Sequence, residues 1–207
     1  MAANLKLPKL ESLEIDQHLY QSMLGSLMYV AIGTGLDIMF SVHFLSQHSI
    51  APGEEHLNAM QCIYCCLIGT QGLGLIFHVN LLNANLIGFS NSDWASNLNS
   101  PRSVSGYTFI FCGAVITWSV KKQLTIALLS TEAEYMAITH SGKEAVFLSH
   151  LFNDLLVPFQ LPISLLVNNQ SAIALVENPI FHACSKHIKV CHHCHWTHEK
   201  SGMGQLN

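Results

Sequence analysis

Charge is scarce in this sequence. Only 11% of its 207 residues are Asp, Glu, Lys or Arg, where about a quarter is usual. Arginine is nearly absent, with Arg102 the single copy, and the net charge is −4. That balance gives no overall basic footprint, so strong binding to nucleic acid through bulk charge is not expected. No secretory leader is expected at residues 1–14, which lack a continuous apolar core. Seven cysteines without a secretory context are expected to be reduced thiols in an intracellular protein. Uncharged stretches occur at 19–36 and 57–92, but Gly, Ser, Asn, Gln and Thr interrupt them. Buried core helices fit them better than membrane spans, and no membrane partner is expected.

What is present is a high apolar content, 50% of residues, in a chain long enough to bury a real core. Helical apolar spacing marks 18–32 and 37–47, separated by Gly33-Thr34-Gly35. A third helix is predicted from Pro52-Gly53-Glu54-Glu55 to about residue 67, with proline and acids at its start. A short β segment and linker over 72–82 follow, so a helical segment 1–82 and a second domain 83–207 are expected. The second domain reads as strand 86–90, a hairpin 107–118 turning at Cys112-Gly113, and a helix over about 130–156. Strand 163–167, helix 169–177 and a last helix from about 185 complete it. This order predicts an α/β fold with a mixed sheet flanked by helices. At the long helix, Thr131-x-x-Glu134 has the form of a capping box, giving Glu134 a structural role.

The same helix start, Ser130-Thr131-Glu132-Ala133-Glu134-Tyr135-Met136-Ala137, resembles the ribonuclease H domain that ends copia-type retrotransposon Pol polyproteins. Further blocks resemble that family in its order. They are Tyr20 to Tyr29, Ala51-Pro52-Gly53-Glu54-Glu55-His56, Asp93-Trp94-Ala95, Arg102-Ser103-Val104-Ser105-Gly106-Tyr107, Trp118 to Gln123, Asn169-Gln170-Ser171-Ala172-Ile173 and Lys186-His187-Ile188. The resemblance covers roughly residues 20–200. It implies a ribonuclease H-like mixed sheet preceded by a helical segment that joins it to the reverse transcriptase. The implied partners are an RNA–DNA hybrid and the rest of the Pol polyprotein, in cytoplasm or a virus-like particle. The implied cofactor is magnesium, two ions held by carboxylates that converge from separate elements.

The resemblance assigns four carboxylate positions, and this chain keeps one, Glu134. The first-strand position is Asn91, the fourth-strand position Asn168 and the last-helix position Lys189. An asparagine carbonyl carries no net charge and a lysine repels a cation, so no stable magnesium site is expected. Asp93 stands two residues after Asn91 and is the candidate substitute. Strand rise would set it about 6–7 Å further along, too far for the same ion.

The substitutions share a direction. Asp to Asn and Glu to Lys are G→A codon changes. Gln61, Cys65, Cys184 and Cys191 stand where the family tends to show arginine, and CG-type arginine codons become Cys, His or Gln by single transitions. Such a pattern is what cytosine deamination leaves in a transposon copy. It also removes phosphate ligands, so weak nucleic-acid binding is expected. The carboxy-terminal Cys191, Cys194, His195 and His198 invite a zinc reading. On one helix they would form a single stripe, which cannot surround an ion tetrahedrally. The expected protein is a ribonuclease H-like pseudoenzyme. The alternative is a domesticated, non-catalytic binding module with the same fold.

Overall fold

A computed structural model describes residues 16–78, 85–94, 101–177 and 204–206. The chain divides into two compact units, Met1–Gly74 and Leu75–Asn207. Sequence spacing put the division near residue 82. The segment 73–78 forms no strand, and the His78 N–H donates to the Cys112 carbonyl at 2.8 Å. That bond ties it to the second unit.

The first unit holds three helices: α1 (Gln17–Gly33), α2 (Leu36–Ser46) and α3 (Glu54–Gly69). Asp16 caps α1 by accepting from the N–H groups of His18 and Leu19. The α1 residues Tyr20, Leu24, Leu27 and Ala31 recur every three or four positions and are buried with Val42, Leu45, Met60 and Ile63. Two phenols tie the helices together: Tyr20 donates to the Leu45 carbonyl and Tyr64 to the Met23 carbonyl. No helix among the described residues is long and apolar enough to cross a membrane.

In the second unit, β1 (Asn85–Ser92), β2 (Val104–Phe111) and β3 (Ala114–Lys122) form an antiparallel meander. Cys112 and Gly113 turn the β2–β3 hairpin, both with positive φ, 51° and 80°. A two-residue turn of that hand matches the twist of the flanking strands. Helix α4 (Ser130–Asp154) then crosses over to β4 (Gln160–Val167), which lies parallel to β1. Helix α5 (Gln170–Glu177) and β5 (Gly204–Leu206) follow, and the sheet order is β3-β2-β1-β4-β5. This is the mixed sheet with flanking helices that the sequence predicts. The predicted last helix from 185 lies outside the described residues.

Packing of α4 on the sheet fixes the unit. Leu86, Phe109, Ile163 and Leu165 from three strands bury against Tyr135, Ile138, Leu148 and Phe152 of α4. Gly88 is opposite Phe109 on β2 and Leu165 on β4. A Cβ there would sit 2.5 Å from the Phe109 ring and 2.8 Å from Leu165 Cδ1, so the sheet centre needs glycine.

Candidate functional site

The parallel pairing of β1 and β4 places two of the anticipated positions. Ser90 is opposite Val167, so the next residues, Asn91 and Asn168, come side by side where the two strands end. The carboxyl ends of parallel strands are where α/β sheets gather functional groups. Both residues are exposed. Asn91 Oδ1 accepts from the Ser92 N–H at 2.8 Å.

Glu134 reaches the same strand end from α4. It is 6% exposed, and the Ser92 backbone N–H also hydrogen-bonds its carboxylate. Burial pushes the Glu134 carboxyl above its ordinary range, and that Ser92 bond partly opposes the shift. Its Oε2 is buried with no hydrogen-bond partner among the described residues. Thus Asn91 and Glu134 meet at one N–H.

Glu134 does not close a capping box. The extended residue before α4 is Leu129, two positions earlier than Thr131-x-x-Glu134 requires. Three residues on from it stands Glu132, whose carboxylate accepts from the Leu128 N–H at 2.8 Å. Glu132 therefore does the work at the helix start, and Glu134 lies two residues too deep.

Asp93 is turned to β2. Its N–H donates to the Val104 carbonyl, and its carboxylate accepts from the Val104 N–H. It extends the β1–β2 ladder past the Ser92–Ser105 pair. Lys189 and the Cys191 to His198 cluster lie outside the described residues.

One residue that sequence reasoning passed over sits at the centre of this region. Gln123, 7% exposed, follows the end of β3. Its Nε2 lies 2.8 Å from Ser105 Oγ, 2.9 Å from the Ala133 carbonyl and 3.2 Å from Ser92 Oγ. A carbonyl only accepts, so Ala133 fixes which end of the amide faces it. Gln123 thereby joins β1, β2 and α4 just behind Glu134. Its one sequence signal is its place in the block ending Lys121-Lys122-Gln123. Nearby Ser90 Oγ and Gln123 Oε1 are buried without partners among the described residues.

Chemically, the described strand end offers one carboxylate and two neutral amides. No family profile matches the chain. It is 38% identical over 180 residues to the retrovirus-related Pol polyprotein from transposon TNT 1-94 of Nicotiana tabacum. That alignment covers 87% of this chain and 13% of the relative. It is 35% identical to the Pol polyprotein from transposon RE1 of Arabidopsis thaliana, covering 84% of this chain and 12% of that one. A secreted RxLR effector protein, 161, of Plasmopara viticola is 41% identical over 130 residues, 63% of this chain and 91% of the effector. Among solved structures, ribonuclease H1 of Halobacterium salinarum aligns at 13% identity and TM-score 0.37, covering 59% of this chain and 83% of that one. The chain corresponds to a region of copia-type retrotransposon Pol polyproteins, and it spans about an eighth of the length of those polyproteins.

Proposed function

We propose that this chain is a ribonuclease H-like unit that no longer hydrolyses the RNA strand of RNA–DNA hybrids. The donor set at the strand end supports this reading. Two magnesium ions bring four positive charges, and hard cations require charged oxygens to offset them. Glu134 supplies one negative charge. Asn91 and Asn168 supply dipoles, and Asn91 spends its oxygen on the Ser92 N–H. Asp93 spends carboxylate capacity on Val104. This donor set does not fit a two-magnesium centre.

The ancestral task, by family, is removal of RNA from hybrids formed in reverse transcription. What persists is the scaffold: a mixed sheet, α4 packed upon it and the Gln123 clamp behind the site. Restoration tests the reading. Asn91→Asp, Asn168→Asp and Lys189→Asp together should recreate a magnesium site. Millimolar magnesium should then raise the melting temperature of the triple variant and leave the natural chain unmoved. A ligand at 100 times its Kd adds about 2.7 kcal/mol. A folded triple variant that gains nothing from magnesium would show that these positions do not converge, and the reading would fail.

A further inference from the structure

Three cysteines stand on the outer face of α3. Cys65 and Cys66 lie three and four positions beyond Cys62, and all three thiols are free and exposed. At about 100° per residue they fall within one sector of about 100°. Pairs at those spacings are neighbours on a helix surface, with Cβ atoms about 5–6 Å apart, whereas adjacent residues do not face each other. Cys62 is therefore the shared member of two alternative pairs. The opposite face holds the helix in place. His56, Ala59, Met60 and Ile63 are buried there, and the Tyr64 hydroxyl donates to the Met23 carbonyl at 2.9 Å.

The spacing selects what such a pair can hold. A disulfide needs its Cβ atoms about 3.8 Å apart, so closing one would draw the helix in by about 1–2 Å against its buried face. Two metal–thiolate bonds of about 2.3 Å set the sulfurs about 4.6 Å apart across a linear centre. The helical Cβ separation accepts that span without backbone movement. Zinc is poorly served, because it takes four ligands in a tetrahedron. Among the described residues no group of three His, Cys, Asp or Glu side chains is placed to hold a metal ion. A soft cation that needs only two thiolates is matched. Charge raises no barrier, since α3 carries no lysine or arginine and its charged residues are Glu54 and Glu55. Cys65 also stands where the family tends to show arginine, so the Cys62–Cys65 pairing is particular to this chain.

We propose that Cys62 and either Cys65 or Cys66 form a two-coordinate thiolate site for a soft monovalent cation of the copper(I) class. Thiolate is the ligating form. Two thiol protons therefore pass to solvent as two sulfur–metal bonds form, and no atom changes oxidation state. Thiolate sulfur selects such an ion over a hard cation such as magnesium, which takes oxygen ligands. The third thiol stands beside the occupied pair and lets the ion exchange between partners of Cys62. The site belongs to the first unit, so it stands whether or not the second unit cleaves a hybrid.

The test uses the full chain carrying Cys184→Ser, Cys191→Ser and Cys194→Ser, so that the carboxy-terminal thiols take up no metal. Copper(I) is the probe, supplied anaerobically as its coloured bicinchoninate complex, whose absorbance falls as the protein withdraws the ion. This parent should take up one equivalent. Cys62→Ser should weaken uptake by about a hundredfold or more, the gain that a second tethered ligand provides. Cys65→Ser and Cys66→Ser should each retain the site, because Cys62 keeps one partner. The double change Cys65→Ser/Cys66→Ser should lose it. Serine at these exposed positions keeps the helix, which circular dichroism checks. The proposal is overturned if the parent withdraws no copper, or if Cys62→Ser binds like the parent. It is equally overturned if either single change at 65 or 66 abolishes uptake, or if zinc at equal concentration displaces the copper.

Discussion

The Gln123 amide is the most exposing place to perturb the second unit, because its orientation is dictated by a carbonyl that can only accept. Gln123→Leu keeps the volume and removes the donor that reaches Ala133 at 2.9 Å and Ser105 at 2.8 Å. The serine hydroxyls can turn to other partners, whereas the Ala133 carbonyl loses a partner in a buried setting. An unsatisfied buried acceptor costs about 1–3 kcal/mol. A loss near the middle, about 2 kcal/mol, lowers the melting temperature by about 4–8 °C for a chain of this size. Gln123→Glu is the sharper probe, since it places a carboxylate oxygen against the Ala133 carbonyl. Only the protonated form can donate there, so the folded state raises that carboxyl's pKa above its unfolded value near 4.3. Stability then peaks below the unfolded pKa and is lost as pH rises through the folded one. At pH 7 the glutamate variant should melt below the leucine variant, and by pH 4 the order should narrow or reverse. Thermal melts by circular dichroism across that range read both effects. A glutamate variant as stable as the natural chain at neutral pH would refute the assigned amide orientation.

Gly88→Ala should destabilise the second unit by about 1–3 kcal/mol, because its methyl meets the buried Phe109 ring and Leu165; chemical denaturation measures it. In the first unit, His56 accepts the Gly53 N–H at Nδ1. Burial holds its imidazole below the ordinary value, and the Glu55 charge opposes that shift. A folded pKa below the unfolded one means stability is present above about pH 6.5 and lost as pH falls through that window. Protection factors of α3 amides, with the intrinsic pH dependence of exchange divided out, should therefore fall on acidification in the natural chain. They should lose that pH sensitivity in His56→Gln.

Much of this architecture is legible in the residues. Apolar spacing locates α1, α2 and α3 because each buries one stripe, as Tyr20, Leu24, Leu27 and Ala31 do. The Cys112-Gly113 turn is legible because glycine tolerates positive φ. Strand ends were harder: β4 begins at Gln160, three residues before the apolar run at 163, because its exposed start carries no pattern. The helix start misled for a related reason. Thr131-x-x-Glu134 and Leu129-x-x-Glu132 both offer a carboxylate at the right spacing, and only the backbone decides which position is extended. The Gln123 clamp depends on pairing between β3 and α4. Periodicity along one element cannot reveal such a pairing.

Cleavage of an RNA–DNA hybrid bears most directly on the central claim. A uniformly labelled hybrid is incubated with the purified chain in millimolar magnesium, and in manganese, which accepts imperfect oxygen sites more readily. The account predicts that the RNA strand stays intact in both metals. Metal-dependent cleavage that Glu134→Ala abolishes would contradict it, and would mean that Glu134 still works with partners among the substituted positions or Asp93.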